Sequence, residues 1–233
     1  MIRAASYNIH KGIGLDRRRD PRRILSVLEE IDADIVALQE ADRRFFKRRA
    51  VITPDLLDVG PGDYRHVRFD MRPLSLGWHG NAILVRNGVD VKRAEPLYLP
   101  SFEPRGAVLA ELETAHGAVR VIGMHLDLSG LFRIRQLGWL MEMLSVRSPM
   151  PTLFMGDTND WNRGRRAAMP TLPSRFTTAV CGPSFHTRRP TLHLDRIIHD
   201  EALHCRASGV HDSDLAKRAS DHLPIWADLE LRA

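Results

Sequence analysis

The feature that most constrains this chain is a set of short apolar runs that each stop on a residue able to hold a metal or move a proton. The plainest is the stretch 151–161, apolar up to Gly156 and then carrying Asp157 and Asn159. Its length and bounds are those of a buried strand. Period-two alternation would bring Asp157 and Asn159 to the rim on the same side. One strand running into an Asp/Asn turn would be commonplace, but the pattern recurs. The run Ile2–Tyr7 ends at Asn8, Ile35–Leu38 runs into Gln39-Glu40, and Ala118–Met124 ends at His125. Two further strand-like runs begin the same way, at Asp195 and after Asp221-His222.

Other signals fill in the elements. Asp20-Pro21 opens a helix, with Asp at the N-cap and Pro at the first helical position, and Ile24, Leu25, Leu28 and Ile31 form its apolar face. Residues 41–79, broken by Pro54, Gly60-Pro61-Gly62 and Pro73, read as loop with one short helix after Glu40 and a strand near Tyr64–Phe69. Gly80–Arg86 is a strand, and Asn87-Gly88 is a hairpin-type turn signal joining it to Val89–Val91. Arg105–Leu112 and Ala118–Leu126 pair across His116-Gly117. A helix from about Ser129 to Ser145 turns Leu131, Ile134, Leu137, Leu140, Met141 and Leu144 inward, and Leu203–Ala207 is expected to pair with the strand at Leu194–Ile198. The long irregular segments 41–79 and 161–192 are of the kind that carry function. Strands outnumber helices and hairpins dominate, so the expected fold class is α+β: two mixed sheets face to face with helices on the outer faces.

The 233 residues, 43% hydrophobic and 27% charged, contain no low-complexity linker and no fixed-period repeat, so one domain spanning 1–233 is expected. No apolar stretch approaches the roughly 20 residues of a membrane-spanning helix, and the N-terminus enters a strand-like run without a signal-peptide core. Cys181 and Cys205 lack metal-type spacing. A disulfide between them stays open, and a reduced, cytoplasmic chain is the simpler reading.

Asn8, Glu40, Arg105, His125, Asp157, Asn159, Asp195, Asp221 and His222 all begin or end buried runs, and a sandwich of mostly antiparallel sheets can gather all nine on one rim. That set suits phosphoryl hydrolysis, which must neutralise phosphate charge, activate water and support the leaving oxygen. Glu40 and Asp221 with the neutral Asn8 are hard oxygen ligands, fitted to Mg²⁺ or Mn²⁺ more than to Zn²⁺. An Asp-His pair can serve as a charged partner for phosphoryl oxygens or as a general acid/base. Asp195, flanked by apolar residues, is costly to bury unless it is paired.

The motifs Tyr7-Asn8-Ile9, Leu38-Gln39-Glu40, Gly80-Asn81-Ala82-Ile83-Leu84, Arg105-Gly106-Ala107, His125-Leu126, Gly156-Asp157-Thr158-Asn159, Leu194-Asp195-Arg196-Ile197 and Ser220-Asp221-His222-Leu223-Pro224 occur in this order across residues 6–224. In them the chain resembles the endonuclease/exonuclease/phosphatase superfamily, the deoxyribonuclease I-like phosphodiesterases. The resemblance implies a four-layer α/β/β/α sandwich and a metal-dependent phosphohydrolase. It implies Asn8, Glu40 and Asp221 around the divalent metal, Asp157 orienting or deprotonating the attacking water, and Asn159 helping to hold the phosphate. His222 would contact the scissile phosphate, Asp195 would orient and charge His222, and His125 and Arg105 would lie at the phosphoryl site. Arg133 and Asn81 are expected to bind substrate. His10 stands where some apurinic-site endonucleases carry an acid. Arg196 stands where they carry an aromatic, and His193-Leu194 where the inositol-polyphosphate phosphatases carry Trp-Cys. The chain is most similar to small bacterial members that share Asn-Ile-His-Lys-Gly at 8–12 and a helix bearing Arg133 and Gln136.

The net charge of +5 is carried unevenly. Arg17–Arg19 and Arg22-Arg23 follow Asn8; Arg43-Arg44 and Lys47–Arg49 follow Glu40; Arg163, Arg165 and Arg166 follow Asn159; Arg188-Arg189 precede Asp195. A collar of this kind draws polyanions in a salt-dependent manner. Phe45, Phe46, Trp78 and Trp161 are the aromatics placed to stack on bases. The expected partner is therefore a phosphate-ester substrate, nucleic acid before anionic phospholipid or phosphoinositide, with a non-catalytic polyanion-binding module as the remaining alternative.

Overall fold

The computed structural model describes residues 1–43, 49–103, 105–161, 164 and 167–232. Its strands are β1 (Ile2–Asn8), β2 (Ile35–Gln39), β3 (Tyr64–His66), β4 (Ala82–Arg86), β5 (Asp90–Leu97), β6 (Ala107–Thr114), β7 (Gly117–His125), β8 (Thr152–Asp157), β9 (Phe176–Thr178), β10 (Asp195–Asp200), β11 (Leu203–Val210) and β12 (Ile225–Leu231). Its α-helices are α1 (Pro21–Ile31), α2 (Pro54–Asp58), α3 (Gly130–Ser145) and α4 (Ala216–Ala219). The strands make two six-stranded sheets, ordered β11-β12-β1-β2-β4-β3 and β5-β6-β7-β8-β10-β9. Among the described residues, only β1/β2 and β7/β8 pair in parallel.

The central strands read as unbroken apolar runs because both faces are covered. In β2, Val36 and Leu38 face α1, packing with Ile24, Leu25, Leu28 and Ile31, while Ile35 and Ala37 face the second sheet. In β7 and β8, Val121, Leu153 and Met155 fill the space between the sheets, while Ile122, Met124 and Phe154 pack outward on Leu137, Leu140 and Leu144 of α3. The result is four layers, helix on sheet on sheet on helix, the class read from the sequence. Asp20 caps α1 by accepting from the Arg23 amide (3.2 Å), and Asp32 ends the helix in the left-handed conformation.

Three sequence readings are corrected. The Asn87-Gly88 turn joins β4 to β5, which lie in different sheets, so it is a crossing between layers and not a hairpin. β11 pairs with β12 in the first sheet, whereas β10 pairs with β8 and β9 in the second. Turn chemistry fixes a local reversal but not which sheet receives the returning strand. Leu131, read as inward, is 57% exposed, and the buried stripe of α3 includes Arg133 and Gln136 instead. The short helix expected after Glu40 is α2, beginning at Pro54. No described helix is long and apolar enough to cross a membrane.

Candidate active site

Two ledges of three neighbouring strands build the site. In the second sheet, β7 and β8 run in parallel and β10 runs against them, so His125, Asp157 and Asp195 fall in one cross-strand row. In the first sheet, β1 and β2 run in parallel, so Asn8 and the residue after Gln39 emerge together; β12 runs against β1, so the segment before Ile225 arrives at the same end. Strand spacing of about 4.8 Å puts Asn8 and Glu40 on adjacent strand ends, and Asp221 lies in the segment leading into β12, next to Ser220, which bonds the Asn8 carbonyl. The ledges meet where Asn8 Nδ2 donates to Asp157 Oδ2 at 3.0 Å.

Local backbone makes these positions possible. A Cβ on Gly156 would fall 1.8 Å from the Met124 carbonyl oxygen, so only glycine lets β8 pass β7 just before Asp157. The Gly80 carbonyl accepts from the Ala41 amide (2.9 Å), and Gly80 itself takes φ +82. Glu40, His10, Lys11 and Asn159 all have positive φ near 50°, a conformation that costs non-glycine residues energy and gathers at functional rims.

Asp157 is buried, 2% exposed. Its Oδ1 accepts from the Asn159 amide at 2.9 Å; its Oδ2 lies 3.4 Å from His125 Nε2 and 3.8 Å from His222 Nε2. Burial raises the Asp157 pKa above the ordinary carboxylate value, aided by Asp195 and opposed by His222. His222 Nδ1 bonds Asp195 Oδ2 at 2.8 Å, and Ser184 Oγ donates to the same oxygen. Burial pulls the His222 pKa down, but the Asp195 carboxylate outweighs it with help from Asp157 and Asp221, so the ring is pushed up to about 10. His125 behaves oppositely: burial and the Arg105 guanidinium against its Nε2 hold its pKa well below the usual imidazole value. One imidazole is thus kept cationic and the other neutral on either side of one carboxylate. Asn159 Nδ2 donates to the Leu126 carbonyl (3.0 Å), tying the turn after β8 to the end of β7.

Glu40 and Asp221 are more open, their side chains about a quarter exposed at 24% and 26%. The Lys11 ammonium rests on Glu40, and His10 Nδ1 is 3.7 Å from Asp221 Oδ1. Among the described residues, Asn8 Oδ1 accepts only from the His10 amide, at 3.1 Å. Ser220 Oγ donates to the Asn8 carbonyl at 2.8 Å, fixing the segment that carries Asp221 against β1. Among the described residues, Asp157, Asp195 and His222 form the one group of three acidic or imidazole residues with ligand atoms within 4.8 Å of one another.

The chain matches the model of the Endonuclease/Exonuclease/phosphatase family over residues 5–222. It belongs to that family. The endonuclease/exonuclease/phosphatase fold accounts for its likeness to solved structures. An endonuclease/exonuclease/phosphatase of Beutenbergia cavernae DSM 12333 is 20% identical with a TM-score of 0.74, over 99% of this chain and 71% of that one. TDP2 of D. rerio, solved with a single-strand DNA product, is 17% identical with a TM-score of 0.74 over 98% of each chain. The mannosyl-6-phosphatase Bt3783 of Bacteroides thetaiotaomicron VPI-5482 is 17% identical with a TM-score of 0.72, over 98% of this chain and 99% of that one. No curated protein matches the chain.

Arg133 and Asn81, expected at the substrate, are both buried. Arg133 is 0% exposed; it donates to the carbonyls of Asp127 (3.1 Å) and Leu128 (2.7 Å) and lies 3.5 Å from Asp160 Oδ1, packing the loops after β7 and β8 from beneath. Asn81 is also 0% exposed, donating to the Gly106 carbonyl at 2.9 Å, with its Oδ1 unpartnered among the described residues. Each bonds loop backbone and keeps polar atoms without a hydrogen-bond partner among the described residues, Nε and Nη2 in Arg133 and Oδ1 in Asn81. Lys11, Ser184 and Ser220 were not singled out from the sequence. Ser220 and Lys11 adjoin residues that were, whereas Ser184 sits in an irregular stretch with no periodic signal. Of the arginine collar, Arg44, Lys47, Arg48, Arg163, Arg165 and Arg166 lie outside the described residues, as do Phe45 and Phe46. Trp161 is 46% exposed and stacks over the Arg133 guanidinium at 5.1 Å.

Proposed function

We propose that the protein is a divalent-metal-dependent phosphodiesterase that hydrolyses a phosphate ester of a polyanion, nuclease-like, by in-line attack of water. The observation that carries this reading is the Asp157 carboxylate set between a cationic and a neutral imidazole, on a ledge bonded to a second ledge of oxygen ligands.

The donor set fits a hard cation. Asn8, Glu40 and Asp221 offer oxygen only, and two of the three are open enough to leave room for retained waters, as Mg²⁺ requires. Lys11 lies against Glu40 and His10 against Asp221. The buried Asp157–Asp195–His222 group is read differently, because His222 Nδ1 and Asp195 are already bonded to each other. Held by Asn8, Glu40 and Asp221, the ion would supply Lewis-acid stabilisation of charge on the phosphoryl oxygens.

The chain's own groups cover the rest. Asp157, its pKa raised by burial, takes a proton from water as the water oxygen bonds to phosphorus. Asn8 and the Asn159 amide hold that carboxylate in place. His222, kept cationic by Asp195, faces the growing negative charge on the phosphoryl oxygens, and Arg105 adds positive charge beside the neutral His125. The bond from phosphorus to the ester oxygen breaks in line with the attack, the leaving oxygen takes a proton from solvent water and departs as the alcohol, and Asp157 returns its proton to the hydroxide so formed.

Arginine around the rim favours a polyanionic substrate over a neutral ester. A second reading, an anionic phospholipid or phosphoinositide, is favoured by Phe102, Leu128, Leu131 and Trp161, all exposed on segments flanking His125 and Asn159. The test is hydrolysis of bis(nitrophenyl) phosphate with Mg²⁺ or Mn²⁺, abolished by EDTA and by Asp157→Asn, followed by the same enzyme on single-stranded oligonucleotide and on phospholipid. Wild-type rates in the presence of EDTA would overturn the reading, and turnover of phospholipid alone would reverse the ranking of substrates.

A further inference from the structure

A groove of about 560 Å³ lies between the segment after β1, the start of α1 and the segment before β12. It is lined by Arg18, Arg19, Arg22, Arg23 and Arg218, with Asp16 and Asp20. The two carboxylates are already engaged. Asp16 takes both terminal nitrogens of Arg23, at 2.8 and 3.2 Å, and Asp20 caps α1. Arg19 Nε donates to the Lys11 carbonyl at 3.0 Å. Arg18, Arg22 and Arg218 are exposed and have no ion-pair partner among the described residues.

The groove is held in shape by backbone. The Gly14 amide donates to the Arg18 carbonyl (3.0 Å) and the Leu15 amide to the Arg218 carbonyl (3.1 Å), so one turn pins both arginine-bearing segments. A Cβ on Gly14 would fall 2.4 Å from the Arg218 carbonyl oxygen. The groove also connects to the site at both ends. Arg19 is bonded to Lys11, which rests on Glu40, and Arg218 precedes Asp221 by three residues, a reach of at most about 11 Å of extended chain.

We propose that this groove is a second anion site, which takes phosphates of a single nucleic-acid strand adjacent to the one cleaved. It rests on the phosphodiesterase reading for the cleaved phosphate, but the binding itself does not require turnover. Four arginines that lack carboxylate partners among the described residues, one of them Arg218 three residues before Asp221, suit a linear series of phosphates, which one phosphodiester head group does not supply. None of the exposed large apolar side chains among the described residues lies on the segments that line the groove, so it offers no wedge for a bilayer.

The experiment compares the full-length protein with two triple variants. Arg18→Gln/Arg22→Gln/Arg218→Gln removes three of the groove's four guanidinium charges that lack an ion pair among the described residues, leaving Arg19. Lys92→Gln/Arg93→Gln/Arg206→Gln removes the same net charge from the outer strands β5 and β11. All six positions are exposed, and melting temperature checks the fold. Binding of a labelled single-stranded oligonucleotide is measured in EDTA over a salt series, and binding to phosphatidylglycerol vesicles alongside. Each neutralised phosphate of a single strand contributes about 0.7 to the slope of log affinity against log salt, so the groove variant is expected to lose about 2 from that slope and the outer-strand variant nothing. Equal slopes and affinities in the two variants would overturn the proposal, as would a groove variant that loses vesicle binding while keeping oligonucleotide binding. Hydrolysis of bis(nitrophenyl) phosphate by the parent protein reports the catalytic reading separately, so absence of turnover with an intact groove effect would sink that reading and leave this one standing.

Discussion

His222 and Asp195 form a buried ion pair whose charge state the surroundings determine. Burial alone would discharge the ring; Asp195 at 2.8 Å keeps it protonated up to about 10. Because the folded value lies above the unfolded value of about 6.5, the pair's contribution to stability is fully present below that pH. It is lost as pH rises through the folded value. Denaturant midpoints should therefore fall between about pH 6.5 and 10. Asp195→Asn should remove that dependence and bring the His222 titration, followed by the imidazole NMR signal, back toward 6.5. A His222 midpoint unchanged in the variant would show that Asp195 is not its charge partner. For turnover, His222→Gln keeps a donor but not the positive charge, and kcat is expected to fall by about 10² to 10⁴.

At the scale of elements, what the sequence made legible were features whose cause is local. The cap at Asp20, the unbroken apolar run of β2 and the β6–β7 hairpin were all readable, because each is decided by neighbours within a few residues or one turn away. The rim residues were legible for the same reason, since a strand end delivers its side chain wherever the strand goes. Partners in space were not. Asn87-Gly88 makes the same reversal whether the next strand pairs alongside or crosses to the other sheet, and β11 could be seen as a strand but not assigned to β12. Arg133 and Asn81 stand on motifs that lie near the site, yet their burial is set by loops that carry no periodic signal. The close pass of β8 over β7 is likewise invisible until the two are paired. There the added methyl of Gly156→Ala would meet the Met124 carbonyl oxygen at 1.8 Å. The strand must shift, so a loss of about 1–3 kcal/mol is expected in urea unfolding, with a drop in activity because Asp157 moves with it. A variant as stable as wild type would mean that β7 and β8 are farther apart than described.

The whole molecule is two similar half-sites brought edge to edge. Each sheet supplies to the site a parallel pair and one of the two antiparallel strands that flank it. One ledge ends in Asn8, Glu40 and Asp221 and the other in His125, Asp157 and Asp195. The first is oxygen-rich and partly open; the second is buried and holds the charged imidazole. A divalent cation binding only to the folded protein stabilises it by mass action, by about 2.7 kcal/mol when its concentration is a hundred times its dissociation constant. If the open ledge holds the ion, Mn²⁺ should raise the melting temperature of the wild type, while Glu40→Gln and Asp221→Asn should blunt that rise. Asp195→Asn, on the buried ledge, should keep it despite its own lower stability. The contrast between ledges decides the matter. A rise that survives loss of Glu40 and Asp221 but vanishes with Asp195 would move the ion to the buried Asp157–Asp195–His222 group, where His222 would have to give up its proton and its bond to Asp195. Stability in the presence of metal would then increase with pH as that proton is released, the reverse of the dependence expected for the ion pair alone.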